Sequence, residues 1–162
     1  MCCKVLAIEA LAKPMNVWCP HCAPGRGCKI YESRPAECRT FSCGWLLDTT
    51  IPEDWKPDRS KLVIFPEPET RNTLVHVDPG TPDAWRREPY YSGLREKAAR
   101  DLPSGTTVIV VVNGKATIVL PNEDLYVGVV DPNDKIVLSV TGSTGPNGTQ
   151  FEAKIVKSAL PD

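Results

Sequence analysis

All seven cysteines of this 162-residue chain fall within its first 43 positions: Cys2, Cys3, Cys19, Cys22, Cys28, Cys38 and Cys43. A metal centre requires crowding of this kind, because thiolates from several turns must reach a common ion. The same stretch is cut by Pro20, Pro24, Gly25, Gly27 and Pro35, which interrupt any helical or strand period. Ligands rather than a hydrophobic core are expected to fix its backbone. Function is sought in this first third, and the remainder reads as the scaffold that carries it.

Size alone does not demand disulfides. A chain of this length buries roughly two thirds of its unfolded surface, so the thiols need an explanation other than the stapling of a coreless mini-protein. Seven is also an odd number, which a closed disulfide framework cannot absorb. No apolar run approaches the roughly 20 residues of a membrane span, and the start lacks the basic segment and long apolar core of a secretory signal. The expected location is cytoplasmic, with no membrane partner and with thiols kept reduced. Net charge is −1, with six Lys/Arg against four Asp/Glu in residues 1–48 and thirteen against sixteen in the rest. Neither part is the clustered cationic surface that phosphate backbones demand, so no nucleic-acid partner is expected. A protein partner is left open.

Cys19 and Cys22 have the spacing at which one tight turn offers two thiolates to one ion, and Cys28, Cys38 and Cys43 follow from neighbouring turns. Tetrahedral thiolate suits zinc, the first choice here, and equally iron or an iron–sulfur cluster. One tetrahedral ion takes four ligands, two sharing a thiolate take seven, and two separate ions take eight, which His21 would complete. His21 is nonetheless read as a bystander beside two thiolates. Four thiolates around a divalent ion leave an excess negative charge, and Arg26, Lys29, Arg34 and Arg39 are the candidates to offset it. Elsewhere the chemistry is sparse. His76 reads as structural, Trp45, Trp55, Trp85, Tyr90 and Tyr91 as core, Glu123 and Asp124 as a turn, and the sequon at Asn147 as without function.

The string Gly27-Cys28-Lys-Ile30-Tyr31-Glu-Ser-Arg34-Pro35-Ala-Glu-Cys38-Arg39-Thr-Phe41-Ser-Cys43, preceded by Cys19-Pro-His and by the Cys2-Cys3 pair, resembles the YkgJ-like cysteine-cluster family, a zinc- or iron-chelating domain. The resemblance covers roughly residues 2 to 46. It implies metal chelation and no single activity. Cys2 and Cys3 resemble the end of the family's opening Cys-x-x-Cys-x-x-Cys-Cys motif, whose first two cysteines do not occur in this sequence. Cys19, Cys28 and Cys38 match its later cysteines, and Cys22 and Cys43 look like additions of a subgroup. Proteins similar to this family are linked to lysine N-methylation of flagellin. That extension would make the chain part of a protein-modifying system, although it carries no radical-type Cys-x-x-x-Cys-x-x-Cys and no glycine-rich nucleotide fingerprint.

The expected architecture is α+β: a cysteine-cluster lobe over residues 1–47 packed through Phe41, Trp45 and Leu46 on a mainly antiparallel β-rich region over 48–162 with one helix. Strands are expected at 61–65, 73–77, 106–112, 115–120, 125–130, 135–140 and 150–156, a helix at 83–102, and a hairpin at Asn113-Gly114. The apolar run 108–112 suits a central strand or a dimer edge. The leading functional expectation is a non-catalytic or accessory metal-binding protein. An iron–sulfur or redox protein, and a thiol switch closing Cys19 on Cys22, are the alternatives.

Overall fold

The computed structural model describes residues 1–131, 134–142 and 150–157, so most of the expected 141–149 loop, with the Asn147 sequon, and the Pro132-Asn133 turn lie outside the described residues. The fold is α+β. The lobe contributes only short pieces: α1 (Cys2–Val5), a two-stranded hairpin of β1 (Cys22–Ala23) and β2 (Gly27–Cys28), α2 (Ala36–Thr40) and α3 (Gly44–Leu47). A connector follows, with a 3₁₀ turn at Glu53–Trp55 and then α4 (Pro57–Ser60), whose proline stands in the first helical turn where its missing N–H is harmless.

The body is a five-stranded sheet in chain order: β3 (Leu62–Pro66), β4 (Thr73–Val77), β5 (Val108–Val112), β6 (Lys115–Val119) and β7 (Asp124–Val129). Every pairing is antiparallel except β4 with β5, which run parallel, so the sheet is mainly antiparallel as expected. The cause of that exception is α5 (Tyr90–Asp101). A parallel pair needs a long crossover, and the segment holding this helix supplies it. Asn113 and Gly114 take positive φ of 50° and 73°, as a two-residue hairpin of matching twist requires, and turn β5 into β6.

Residues 108–112 form the central strand. Val108 and Val110 face α5 and pack with Leu62, Val75, Leu94 and Ala98, whereas Ile109 and Val111 face the opposite side with Ala116 and Ile118. A fully buried Val or Leu contributes about 1.5–3 kcal/mol, and this strand supplies such residues to both faces of the sheet. The face opposite α5 is shared. At the β3 end the lobe covers Val63 with Val5 and Cys43, and Phe41 and Trp45 pack around them as expected. At the β7 end a hairpin of β8 (Lys135–Val140) and β9 (Phe151–Val156) covers it with Ile136, Leu138 and Phe151. Leu46 departs from its expected role: it is 65% exposed, because α3 turns Trp45 inward and leaves the next two leucines outside. α3 lies against β3 so closely that a Cβ on Gly44 would stand 3.3 Å from the Ile64 carbonyl oxygen.

The aromatic residues expected in the core are there: Trp85 is buried, and Trp55, Tyr90 and Tyr91 pack around the same cluster. Asp124 does more than turn the chain. Opening β7, it accepts hydrogen bonds from Arg86 (2.8 Å) and Tyr91 (3.0 Å), which fastens the start of α5 to the sheet. Among the described residues no helix is long and apolar enough to cross a membrane.

Two outcomes follow from this packing. Gly93→Ala would gain roughly 1 kcal/mol of helix propensity, yet its Cβ would stand 2.6 Å from Trp55, whose ring is held edge-on to Tyr90. Overpacking costs about 1–3 kcal/mol, so urea unfolding should show a net loss. The His76 ring stacks on Phe65, and burial pushes it down to about 4. The unfolded state takes up this proton near pH 6.5, so the folded state holds its full advantage above that value and loses it as pH falls towards 4. His76→Leu should flatten that part of the stability–pH curve.

Candidate metal centre

The short elements of the lobe bring its thiols together. Cys2 and Cys3 ride on α1, and the Cys3 carbonyl accepts the Cys19 N–H at 2.9 Å, which pins the Cys19-Cys22 turn beside them. That turn closes on itself, Cys22 N–H to Cys19 carbonyl at 2.9 Å, and leads into β1. Cys22 then stands directly opposite Cys28 across the hairpin. Such a tight reversal needs left-handed backbone, supplied by Gly25 and Gly27 at φ of 76° and 101°. Cys38 comes from α2, in which the neighbouring Glu37 accepts the backbone N–H groups of Glu9 and Ala10 at 3.0 Å each. This carboxylate ties α2 to the 3₁₀ turn at Glu9–Leu11.

All seven cysteines line one cavity of about 450 Å³, together with His21, Arg34, Glu37 and Arg39. None is disulfide-bonded. The rest of the lining is mostly apolar, with Leu6, Ile8, Ile30 and Phe41 among it. Cys43 belongs also to the core beneath, where it is 6% exposed and packs with Val5 and Val63. Among the described residues no group of three or more His, Cys, Asp or Glu side chains is arranged to hold a metal ion. The thiols share a space without meeting at one point.

The thiols also act on one another electrostatically. The Cys2 thiol is held down to about 6, first by its hydrogen bond with Cys3, against desolvation, with help from the N-terminal ammonium. Cys3 is pushed up, first by that same bond, then by burial and by the charges of Cys2 and Cys22. Burial raises Cys38, and the charges of Cys19, Glu37, Cys2 and Cys28 raise it further.

The cations named from the sequence divide. Arg34 and Arg39 line the cavity, Arg34 bonding to the Tyr31 carbonyl at 2.6 Å and lying 3.7 Å over its ring, whereas Arg26 and Lys29 are exposed and stand outside the lining. The residue that sequence reasoning missed is Lys13. It is 4% exposed, and its ammonium donates to the Lys4 carbonyl at 2.8 Å and to that of Leu6. Burial pushes it below its ordinary value, and the charges of Cys19, Cys3, Cys2 and Cys38 push it back up. Its placement comes from paired backbone bonds between Ile8 and Lys13, a chain reversal that no residue spacing announces.

Lys4, next to Cys3, ties the lobe to the sheet. Its ammonium meets Asp78 at 2.5 Å, with the two side chains 18% and 11% exposed. Burial pushes the Asp78 carboxyl up, but Lys4 and the Gly80 N–H outweigh it and hold it below the usual range. The pair therefore stabilises the fold above the ordinary carboxylate range, and that contribution is lost as pH falls through the lowered value. Asp78→Asn should cost about 1–3 kcal/mol at neutral pH and weaken the acid dependence in urea titrations. Compared with family models, curated proteins and solved structures, the chain finds no match.

Proposed function

We propose that the chain is a metal-binding protein whose N-terminal lobe holds zinc through four or more of its cysteines, in a non-catalytic or accessory role. The observation that carries this reading is the convergence of all seven free thiols on one cavity. Cys19, Cys22, Cys28 and Cys38 are the preferred ligands, with Cys2 and Cys3 as further donors at the same wall and Cys43 as the donor most committed to the core. The resemblance of residues 2 to 46 to the YkgJ-like cysteine-cluster family points to the same chemistry.

The open arrangement of the thiols does not weigh against it. Turning four side chains onto one ion costs at most about 2 kcal/mol each in rotamer freedom. Structural zinc binding is worth about 10–16 kcal/mol in small peptide sites. The ion would then supply what this Pro- and Gly-rich segment lacks, a centre that fixes its turns. Free thiols suit a reducing, cytoplasmic setting, and an unidentified protein partner fits an accessory role.

An iron–sulfur cluster is the second reading, favoured by the size of the cavity, which exceeds what one ion needs. Elemental analysis and a visible spectrum of anaerobically purified protein decide between them. Zinc at about one or two per chain, without colour, is the expected result; iron with matching sulfide and absorbance near about 400 nm would establish the cluster. Cys28→Ser and Cys38→Ser should each lower the metal content and open the lobe to protease. A variant that keeps both its metal and its protease resistance would remove that cysteine from the ligand set.

A further inference from the structure

Cys22 and Cys28 are set face to face by the backbone itself. They stand directly opposite in the antiparallel register of β1 and β2, and among the described residues no other strand pair joins two cysteines. The Lys29 N–H donates to the His21 carbonyl at 2.8 Å, one residue outside the pair. That bond puts Cys22 and Cys28 at a non-hydrogen-bonded position of the ladder, where opposite Cα atoms stand about 4.5 Å apart and both side chains leave on one face. A disulfide spans Cα separations of roughly 4.4–6.8 Å. These two sulfurs can therefore bond with the strands left where they are.

The sequence spacing suggests a different partner, Cys19. That residue is 6% exposed, and it is joined to Cys22 by a turn, its carbonyl accepting the Cys22 N–H at 2.9 Å, rather than across a ladder. Cys43 is buried among Val5 and Val63, and Cys2, Cys3 and Cys38 come from the helices α1 and α2. Cys22 and Cys28 are both half-buried on the lining of the cavity, where a small oxidant reaches them. The left-handed Gly25 and Gly27 build the reversal between them, so the chain sets this facing before any ion binds.

We propose that Cys22 and Cys28 are a redox pair, which hydrogen peroxide closes to a disulfide across the β1–β2 hairpin and a thiol reductant reopens. One thiolate attacks a peroxide oxygen, the O–O bond breaks, and the departing hydroxide takes up a proton to leave as water, with the sulfur now a sulfenic acid. The facing thiolate attacks that sulfur, the S–O bond breaks, and the hydroxide released takes up the second thiol proton. Two electrons pass from the sulfurs to the peroxide, and the products are one disulfide and two waters. A consequence rests on the metal-binding reading: the bridge withdraws two of its four preferred ligands, so oxidation ejects the ion. The hairpin then sets whether the centre is occupied.

Trypsin separates the possible bridges. It cleaves after Arg26 and Lys29, so Cys19 and Cys22 stay within one peptide and Cys28 falls in the tripeptide Gly27-Cys28-Lys29. The full chain, stripped of metal, is treated with hydrogen peroxide, its remaining thiols are blocked with iodoacetamide, and the digest is analysed by mass spectrometry with and without reductant. The expected product is the tripeptide disulfide-linked to the other peptide, with fragment ions placing the link on Cys22 and reduction abolishing it. The link should persist in Cys19→Ser and be lost in Cys22→Ser; the wild-type fragment ions stand whether or not either variant folds. A bridge closing Cys19 on Cys22, a link from Cys28 to any other cysteine, or oxidised Cys28 without a bridge overturns the pairing. The same treatment of zinc-loaded protein, followed with a colorimetric zinc chelator, should release the bound zinc as the bridge forms. Zinc retained, with or without the bridge, overturns the control of occupancy and leaves the pair in the metal-free chain standing. Reduced protein that binds neither zinc nor iron yet forms the bridge overturns the metal reading alone.

Discussion

The strand Val108–Val112 must be buried on both of its faces, and the layering of the molecule follows from that requirement. One face is met by α5 through Leu94 and Ala98. The other is too broad for any single element of this chain, so the lobe covers it at Val63 and the β8–β9 hairpin covers it at Ile109 and Ile118. The lobe is thus part of how the sheet is buried as well as the carrier of the thiols. Lys4 and Asp78 reinforce the same junction with charge.

The scaffold was largely legible in the sequence because its signals are local. Asn113-Gly114 announces a left-handed reversal, alternating residues announce β4, and Leu94 and Ala98 announce the buried stripe of α5. What could not be read are facts of placement. Nothing in the residues themselves states that β5 lies beside β4 and parallel to it, since that depends on where the crossover returns the chain. Leu46 and Trp45 are adjacent, large and apolar, and only the orientation of α3 decides that one packs inward and the other is exposed.

The candidate centre divides along the same line. Its thiols were legible as residue types and spacings, and the structure brings them to one cavity. Its electrostatics were not, because attention goes to cations lying among the cysteines in sequence, such as Arg26 and Lys29, which stand in solvent. Lys13 is brought to the carbonyls at the end of α1 by a reversal at Ile8 and is hidden in a stretch that reads only as the end of an apolar segment.

β3 is the outermost strand of its sheet, hydrogen-bonded to a neighbour on the β4 side alone. Its other flank is where α3 rests, with Gly44 against the Ile64 carbonyl. Without that cover, an edge of this kind, carrying Val63 and Phe65 beside open backbone donors and acceptors, would be a template for pairing with another molecule. Since α3 follows directly on Cys43 and belongs to the cysteine lobe, whatever holds the lobe closed also keeps that edge covered. Loosening it would be felt first as a loss of solubility.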